Sequence, residues 1–177
     1  MRKYLKVLLW SAVALMVLLN VVLIIGYRLP REHVVSRTLK SKQPPQAVWA
    51  VISDHINEPG WRPGLKKVEH SWNADRLEVW RETYSSGDSL SFATIELEPP
   101  RRMVRVITDE GIPFGGRWEY EVKPAKDGGS QLTITEHGEV YKPLYRFVSK
   151  YVMGHTRSLD QYLRALAAKL GDPAQIS

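Results

Sequence analysis

Between Tyr141 and Leu170 the residues Leu144, Phe147, Val148, Tyr151, Val152, His155, Leu159, Tyr162, Leu163, Leu166 and Leu170 recur at three- and four-residue steps. That is the spacing of one face of an α-helix, and a face this apolar must be buried. The opposite face carries Arg146, Lys150, Arg157, Asp160, Arg164 and Lys169, with Asp160 four residues before Arg164 in the favourable order for a helical ion pair. Pro143 suits a first turn, and Gly171 followed by Pro173 suits an end. A continuous helix here runs about eight turns, ~40 Å. It requires an apolar partner surface of similar length.

The preceding segment can supply one. From Lys67 the pattern is of short β-prone runs: Lys67 to Trp72, Arg76 to Tyr84, Ser89 to Glu98, Met103 to Thr108, Arg117 to Val122 and Gln131 to Val140. Turn-forming residues separate them: Asn73-Ala74-Asp75, Ser85-Ser86-Gly87-Asp88, Glu98-Pro99-Pro100, the Gly111 to Gly116 loop and Lys126-Asp127-Gly128-Gly129. Connections this short imply hairpins and hence an antiparallel meander. Trp118, Tyr120 and Val122 alternate with Arg117, Glu119 and Glu121, as in a sheet with one buried and one wet face. His33 to Leu39 reads as an earlier strand, making seven, and Gln46 to Ser53 as a short helix. Asp54 to Leu65, with two Pro and two Gly, reads as turn or a single helical turn around Trp61.

The N-terminus is different in kind. Val7 to Gly26 is twenty residues without a charge, preceded by Arg2, Lys3 and Lys6. As a helix it spans ~30 Å, the thickness of a bilayer's hydrocarbon core. The run is longer than a signal peptide's apolar region and lacks a small-residue cleavage site, so an uncleaved anchor is the expectation. The basic residues on its two sides, Arg2, Lys3 and Lys6 against Arg28, Arg31, Arg37, Lys40 and Lys42, leave the orientation undetermined.

The formal net charge of +6 leaves +3 for the chain beyond the anchor, 22 basic residues against 19 acidic ones. That is too mild and dispersed for a nucleic-acid partner. There is no cysteine, which excludes disulfides, thiolate metal sites and cysteine nucleophiles. The five histidines, His33, His55, His70, His137 and His155, show no zinc-helix spacing. No nucleophile elbow, phosphate loop or dinucleotide pattern occurs. No catalytic residue, metal site or cofactor is expected on these grounds.

Pro45-Gln46-Ala47-Val48-Trp49-Ala50-Val51-Ile52-Ser53-Asp54, Trp61-Arg62-Pro63, Pro99-Pro100-Arg101-Arg102, Gly116-Arg117-Trp118-Glu119-Tyr120 and Leu132-Thr133-Ile134-Thr135-Glu136 precede the amphipathic C-terminal run. In this order they resemble the SRPBCC (START-like) superfamily, and within it the polyketide cyclase/dehydrase and lipid transport group, over roughly Glu32 to Leu170. The resemblance implies an α+β helix-grip fold: a seven-stranded antiparallel sheet wrapped around a long C-terminal helix with an apolar cavity between them. Here one N-terminal transmembrane helix precedes it. The expected organisation is an anchor and short linker over residues 1–31, a ligand-binding domain over 32–172 and a tail over 173–177. One activity does not follow, because a shared fold hosts carriers, sensors and cyclases alike.

Strand phase and the helix's apolar face nominate Trp80, Tyr84, Phe92, Trp118, Tyr120, Glu136, Phe147, Tyr151 and His155 as the ligand-binding lining. Buried Tyr and Trp carry polar atoms that want partners. Glu136 shares the phase of Leu132 and Ile134. It either anchors a polar head or acts as a base inside the pocket, or it reaches the sheet's edge and is solvated or paired. Glu78 and Glu82 share the phase of Trp80 and Tyr84, so one face of that strand must carry charge. Trp61 and the Ile112-Pro113-Phe114 tip either touch the bilayer or cap the core. The leading expectation is a membrane protein, anchored through Val7 to Gly26, that binds a lipid, isoprenoid or quinone-like molecule as carrier or sensor. A cyclase or dehydratase using Glu136, His155 or a tyrosine, and a filled-core interaction protein, are the alternatives.

Overall fold

The computed structural model describes residues 2–72, 78–126 and 128–177. Helix α1, Arg2–Arg28, stands almost wholly exposed. Its Lys3–Arg28 portion is long and apolar enough to cross a membrane. Three residues, Leu29 to Arg31, lead from it into β1, Glu32–Ser41.

Helix α2, Pro45–Ser53, starts on Pro45 and is followed by a 3-10 turn, His55–Gly60, and then by six strands. These are β2 (Leu65–Trp72), β3 (Glu78–Tyr84), β4 (Ser89–Glu98), β5 (Arg102–Ile107), β6 (Phe114–Pro124) and β7 (Ser130–Val140). The expected separator at 73–75 and the expected start of β3 at Arg76 lie outside the described residues. With β8 at Gln175–Ile176, all pairings are antiparallel, in the order β2-β3-β4-β5-β6-β7-β1-β8. The seven expected strands form, and an eighth of two residues, Gln175–Ile176, pairs with Leu39 and Lys40 of β1. Strand β6 begins three residues earlier than its pattern indicates, because Phe114 to Gly116 stay in register with Gly138 to Val140.

The C-terminal helix is the main departure. It is not one rod from Tyr141: α3, Pro143–Val148, runs into a π-turn, Ser149–Met153, and stops at Gly154. Gly154 has φ +76, a backbone conformation that L side chains avoid. Only α4, Arg157–Leu170, lies in the grip, burying Leu159, Tyr162, Leu163, Ala165, Leu166 and Ala167. The first half of the apolar stripe leaves the sheet. Helix α3 packs on the end of α1, where a side chain at Gly26 would collide with the Pro143 carbonyl. Leu144, Tyr145, Tyr151, Val152 and Met153 are exposed.

Two further expectations are corrected. Asp160 pairs with Arg37 across the fold, at 3.0 Å, rather than with Arg164. Arg146, placed by periodicity on the wet face, is buried: its Nε donates to the Val140 carbonyl at 2.8 Å, Nη2 to Tyr141 at 2.7 Å and Nη1 to Leu29 at 3.3 Å.

The core joins α4 and α2 to the inner face of β1, β5, β6 and β7, with Leu39, Val48, Ile52, Met103, Val122, Leu132, Ile134, Leu159, Leu163 and Leu166 at its centre. Leu163→Ala should destabilise the chain by about 2–5 kcal/mol, whereas Met153→Ala, outside the grip, should change stability by less than about 0.5 kcal/mol. Denaturation of the full chain in mild detergent checks both values; equal losses would contradict this division of the stripe.

Candidate functional site

Strand phase puts Trp80, Tyr84, Phe92, Trp118, Tyr120 and Glu136 on the inner face of the sheet. Trp80 and Phe92 are direct partners across β3 and β4, with rings stacked 5.7 Å apart. Tyr162 of α4 meets this wall edge-on, its ring 5.6 Å from Trp118, 5.6 Å from Trp61 and 6.2 Å from Tyr120. Trp80 and Tyr120 are buried, whereas Tyr84, Phe92 and Trp118 are half-buried. The wall is thus closed at its centre and partly open toward the sheet end where β1 begins.

The centre is charged. Glu58, from the 3-10 turn, is fully buried and accepts from Arg62 Nη1 at 2.8 Å and from Arg105 Nη1 at 3.2 Å. Arg62 also donates to Glu82 at 2.9 Å, and Glu82 accepts from Tyr84 at 2.6 Å and from Trp80 at 3.2 Å. The Arg105 guanidinium lies 4.9 Å from the Trp80 ring centroid and 5.3 Å from that of Tyr120, and donates to the Ile52 carbonyl at 2.8 Å. Two arginines therefore neutralise two glutamates, as buried charges require. Burial pushes the Glu58 carboxyl up against the pull of Arg105 and Arg62, and pushes the Tyr120 phenol up to about 12. It pushes the Tyr162 phenol well above its usual range. Tyr162 Oη and Arg105 Nε find no protein partner among the described residues.

A second polar cluster lies at the open end. Glu136 is half-buried and accepts from Trp118 Nε1 at 2.8 Å and from Ser158 at 3.1 Å, with His33 Nε2 at 3.2 Å. His33 occupies the space over Gly138 that any side chain there would fill, and stacks on His155 at 4.0 Å. His155 Nδ1 lies 3.1 Å from Ser149 Oγ. Burial, and then His33, hold the His155 imidazole below its ordinary range. Glu136 and His155 therefore come together, joined by His33. Phe147 and Tyr151, 5.1 Å apart, belong to the α3 segment outside the grip, with Tyr151 exposed.

Two hollows flank these clusters. A crevice of about 20 Å³ lies between Leu29, Arg31, His33, Arg146, Lys150 and His155. An open cleft of about 420 Å³ is lined by Ala50, Val51, Asp54, Asn57, Gly60, Trp61 and Lys169. Trp61 is half-buried, so it both lines that cleft and packs on the core.

The model of the family described as polyketide cyclase / dehydrase and lipid transport matches residues 32–171. The chain belongs to this family. The sheet gripping α4 is also that of solved structures. The Zhui aromatase/cyclase from Streptomyces sp. R1128 is 16% identical, with 79% of this chain and 94% of that one covered, at a TM-score of 0.63. A START superfamily protein from Mycobacterium smegmatis is 18% identical, covering 78% and 97% at 0.60. A norcoclaurine synthase point mutant from Thalictrum flavum is 13% identical, covering 78% and 94% at 0.62. At these identities the likeness is one of fold. No curated protein matches the chain.

Glu58, Arg62, Arg105 and Tyr162 make up much of this polar centre, and strand and helix phase nominated none of them. A signal was present for Arg105. Glu82 in the phase of Trp80 and Tyr84 demanded a buried cation, and Arg105 shares the inward phase of Met103 in β5.

The lowered His155 carries a pH consequence. The unfolded chain binds its proton more readily than the folded one, so the stability that neutral His155 contributes is present above about pH 6.5 and is lost as pH falls through the folded value. Denaturation midpoints of the full chain should therefore decline from pH 7.5 to 5.5, and His155→Gln should flatten that decline. An unchanged slope in the variant would contradict the assignment.

Proposed function

We propose that this family member is a membrane-tethered binding protein for an amphiphilic small molecule, a lipid, isoprenoid or quinone-like compound. The observation that carries the reading is the position of α1. A helix apolar enough to span a bilayer enters the sheet through three residues, at the end where the aromatic wall is partly open and the apolar side chains of α3 and the π-turn are exposed. A ligand dissolved in the bilayer would be concentrated at that end by the tether. Its apolar body would lie on Trp118, Phe92 and Tyr84, and an acceptor group such as a carbonyl or carboxylate would meet Tyr162 Oη and Arg105 Nε. Those donors otherwise leave hydrogen-bonding capacity unused in the core, at about 1–3 kcal/mol each.

A second reading is favoured by the linked Glu136, His33 and His155. A half-buried carboxylate joined to two imidazoles can move a proton at an enolisable or hydroxylated substrate, the chemistry of a cyclase or dehydratase. Two of the structural relatives are an aromatase/cyclase and a norcoclaurine synthase.

Tyr162→Phe separates binding from packing. Removing the unpartnered hydroxyl should raise the melting temperature of the delipidated full chain in detergent. After exposure to a membrane lipid extract, native mass spectrometry should show an added mass on the wild type and at least about tenfold less of it on the variant. A wild type that stays bare would overturn the binding reading. A bound mass that the wild type alters with time, and Glu136→Gln retains unaltered, would install the catalytic one.

A further inference from the structure

Against Trp80, whose indole also donates to Glu82 of the charged centre, the outer edge of the sheet brings together side chains that neither reading uses. His55 opens the 3-10 turn after α2, His70 lies on β2, and Glu78 begins β3 on the inward phase shared with Trp80. His55 is 4% exposed and held between rings, 4.2 Å from Trp80 and 5.8 Å from His70, stacked on both. Its two ring nitrogens complete no hydrogen bond among the described residues, although each is an obligate donor or acceptor. Its Nε2 lies 3.5 Å from Glu78 Oε1, and His70 Nε2 lies 3.1 Å from the same oxygen. One potential ligand atom from each residue falls within 4.8 Å of the others.

We propose that His55, His70 and Glu78 form a binding site for a divalent transition metal of the zinc class. Zinc bonds to imidazole nitrogen and carboxylate oxygen are about 2.0–2.2 Å, so neighbouring ligands of a tetrahedral ion stand roughly 3.4 Å apart. The two nitrogen-to-oxygen separations bracket that value before any ion draws the side chains in. The donor set, two neutral imidazoles and one carboxylate, suits zinc over calcium or magnesium, which prefer all-oxygen sites. Glu78 and His70 are partly exposed, which gives the ion a route in and leaves a fourth position for water or another small ligand. The three residues have no helical spacing in the sequence because they come from three elements and converge only when β2 pairs with β3. This site is independent of the ligand reading above and of the lipid experiment that tests it.

The test uses the untagged full chain in mild detergent, stripped with a chelator and dialysed against zinc chloride alone. One equivalent of zinc per chain should be retained and should raise the melting temperature. His70→Gln and Glu78→Gln should each lower the affinity by at least the roughly 10–100-fold that loss of an outer-shell partner costs. His137→Gln, a histidine paired with Glu119 on the other side of the sheet, should not. If the variants fail to fold, zinc-edge absorption of the wild type decides: two imidazole nitrogens and oxygen in the shell support the site, and any other shell overturns it. Absence of retained zinc, or equal retention by the wild type and both folded variants, also overturns it.

Discussion

Arg146 fixes how the two parts of this chain meet. Its guanidinium donates to the carbonyls of Val140 and Tyr141 where β7 ends, and to Leu29 where α1 gives way to the sheet. Charge-assisted bonds of this kind are roughly twice as strong as neutral ones, and here they tie the adjoining end of β7 and start of α3 to Leu29, 117 residues from Arg146 in sequence. The backbone adds to the clasp, since Val140 N donates to the Arg31 carbonyl and Tyr141 N to Pro113. Gly26 lets α3 lie against α1 without a side chain between them. The end of the sheet that carries His33, Glu136 and Trp118 is therefore held at a set position relative to α1. A looser linker would let it wander.

The interior of the grip follows from a different constraint. Glu58 and Glu82 are buried, and a buried carboxylate without a partner costs several kcal/mol. Arg62 and Arg105 supply the compensation, and each is wrapped by aromatic rings: Arg62 lies 5.8 Å from Tyr84 and 5.5 Å from Tyr162, and Arg105 lies over Trp80 and Tyr120. Flat rings accommodate guanidinium groups that aliphatic side chains could not. This explains why Tyr and Trp outnumber Leu on the inner face of β3, β5 and β6. The packing of α4 on the sheet is therefore aliphatic around Leu163 and Ile134, and aromatic and charged around Tyr162, Tyr120 and Arg105.

Much of the fold was legible because strands announce themselves by alternation and by turn residues. Strand β4 runs from Ser89 to Glu98 as its pattern indicates, and β6 buries Tyr120 and Val122 while exposing Arg117. The C-terminal stripe misled because periodicity records which residues are apolar and not what they face. Residues 144–153 keep the period of α4 yet belong to a separate segment, and the one local sign was Gly154, whose positive φ breaks the rod. Arg146 misled for the complementary reason: a cation at a nominally wet helical position can be drawn inward by three free carbonyls. Of the nominated site residues, those chosen by strand phase share the inner face. Phe147 and Tyr151, chosen by helix phase, lie with the exposed segment.

The proposed tethering by α1 puts that exposed segment at the surface of a bilayer. The chain has no cysteine, so single substitutions give unambiguous labels. Val152→Cys on the π-turn and Leu97→Cys near the β4–β5 turn at the opposite end, both exposed in the native chain, can each carry an environment-sensitive fluorophore in reconstituted vesicles. Quenching by spin-labelled lipid at position 152 and none at 97 is the result predicted for a sheet whose open end faces the membrane. Equal quenching, or quenching at 97 alone, would contradict it.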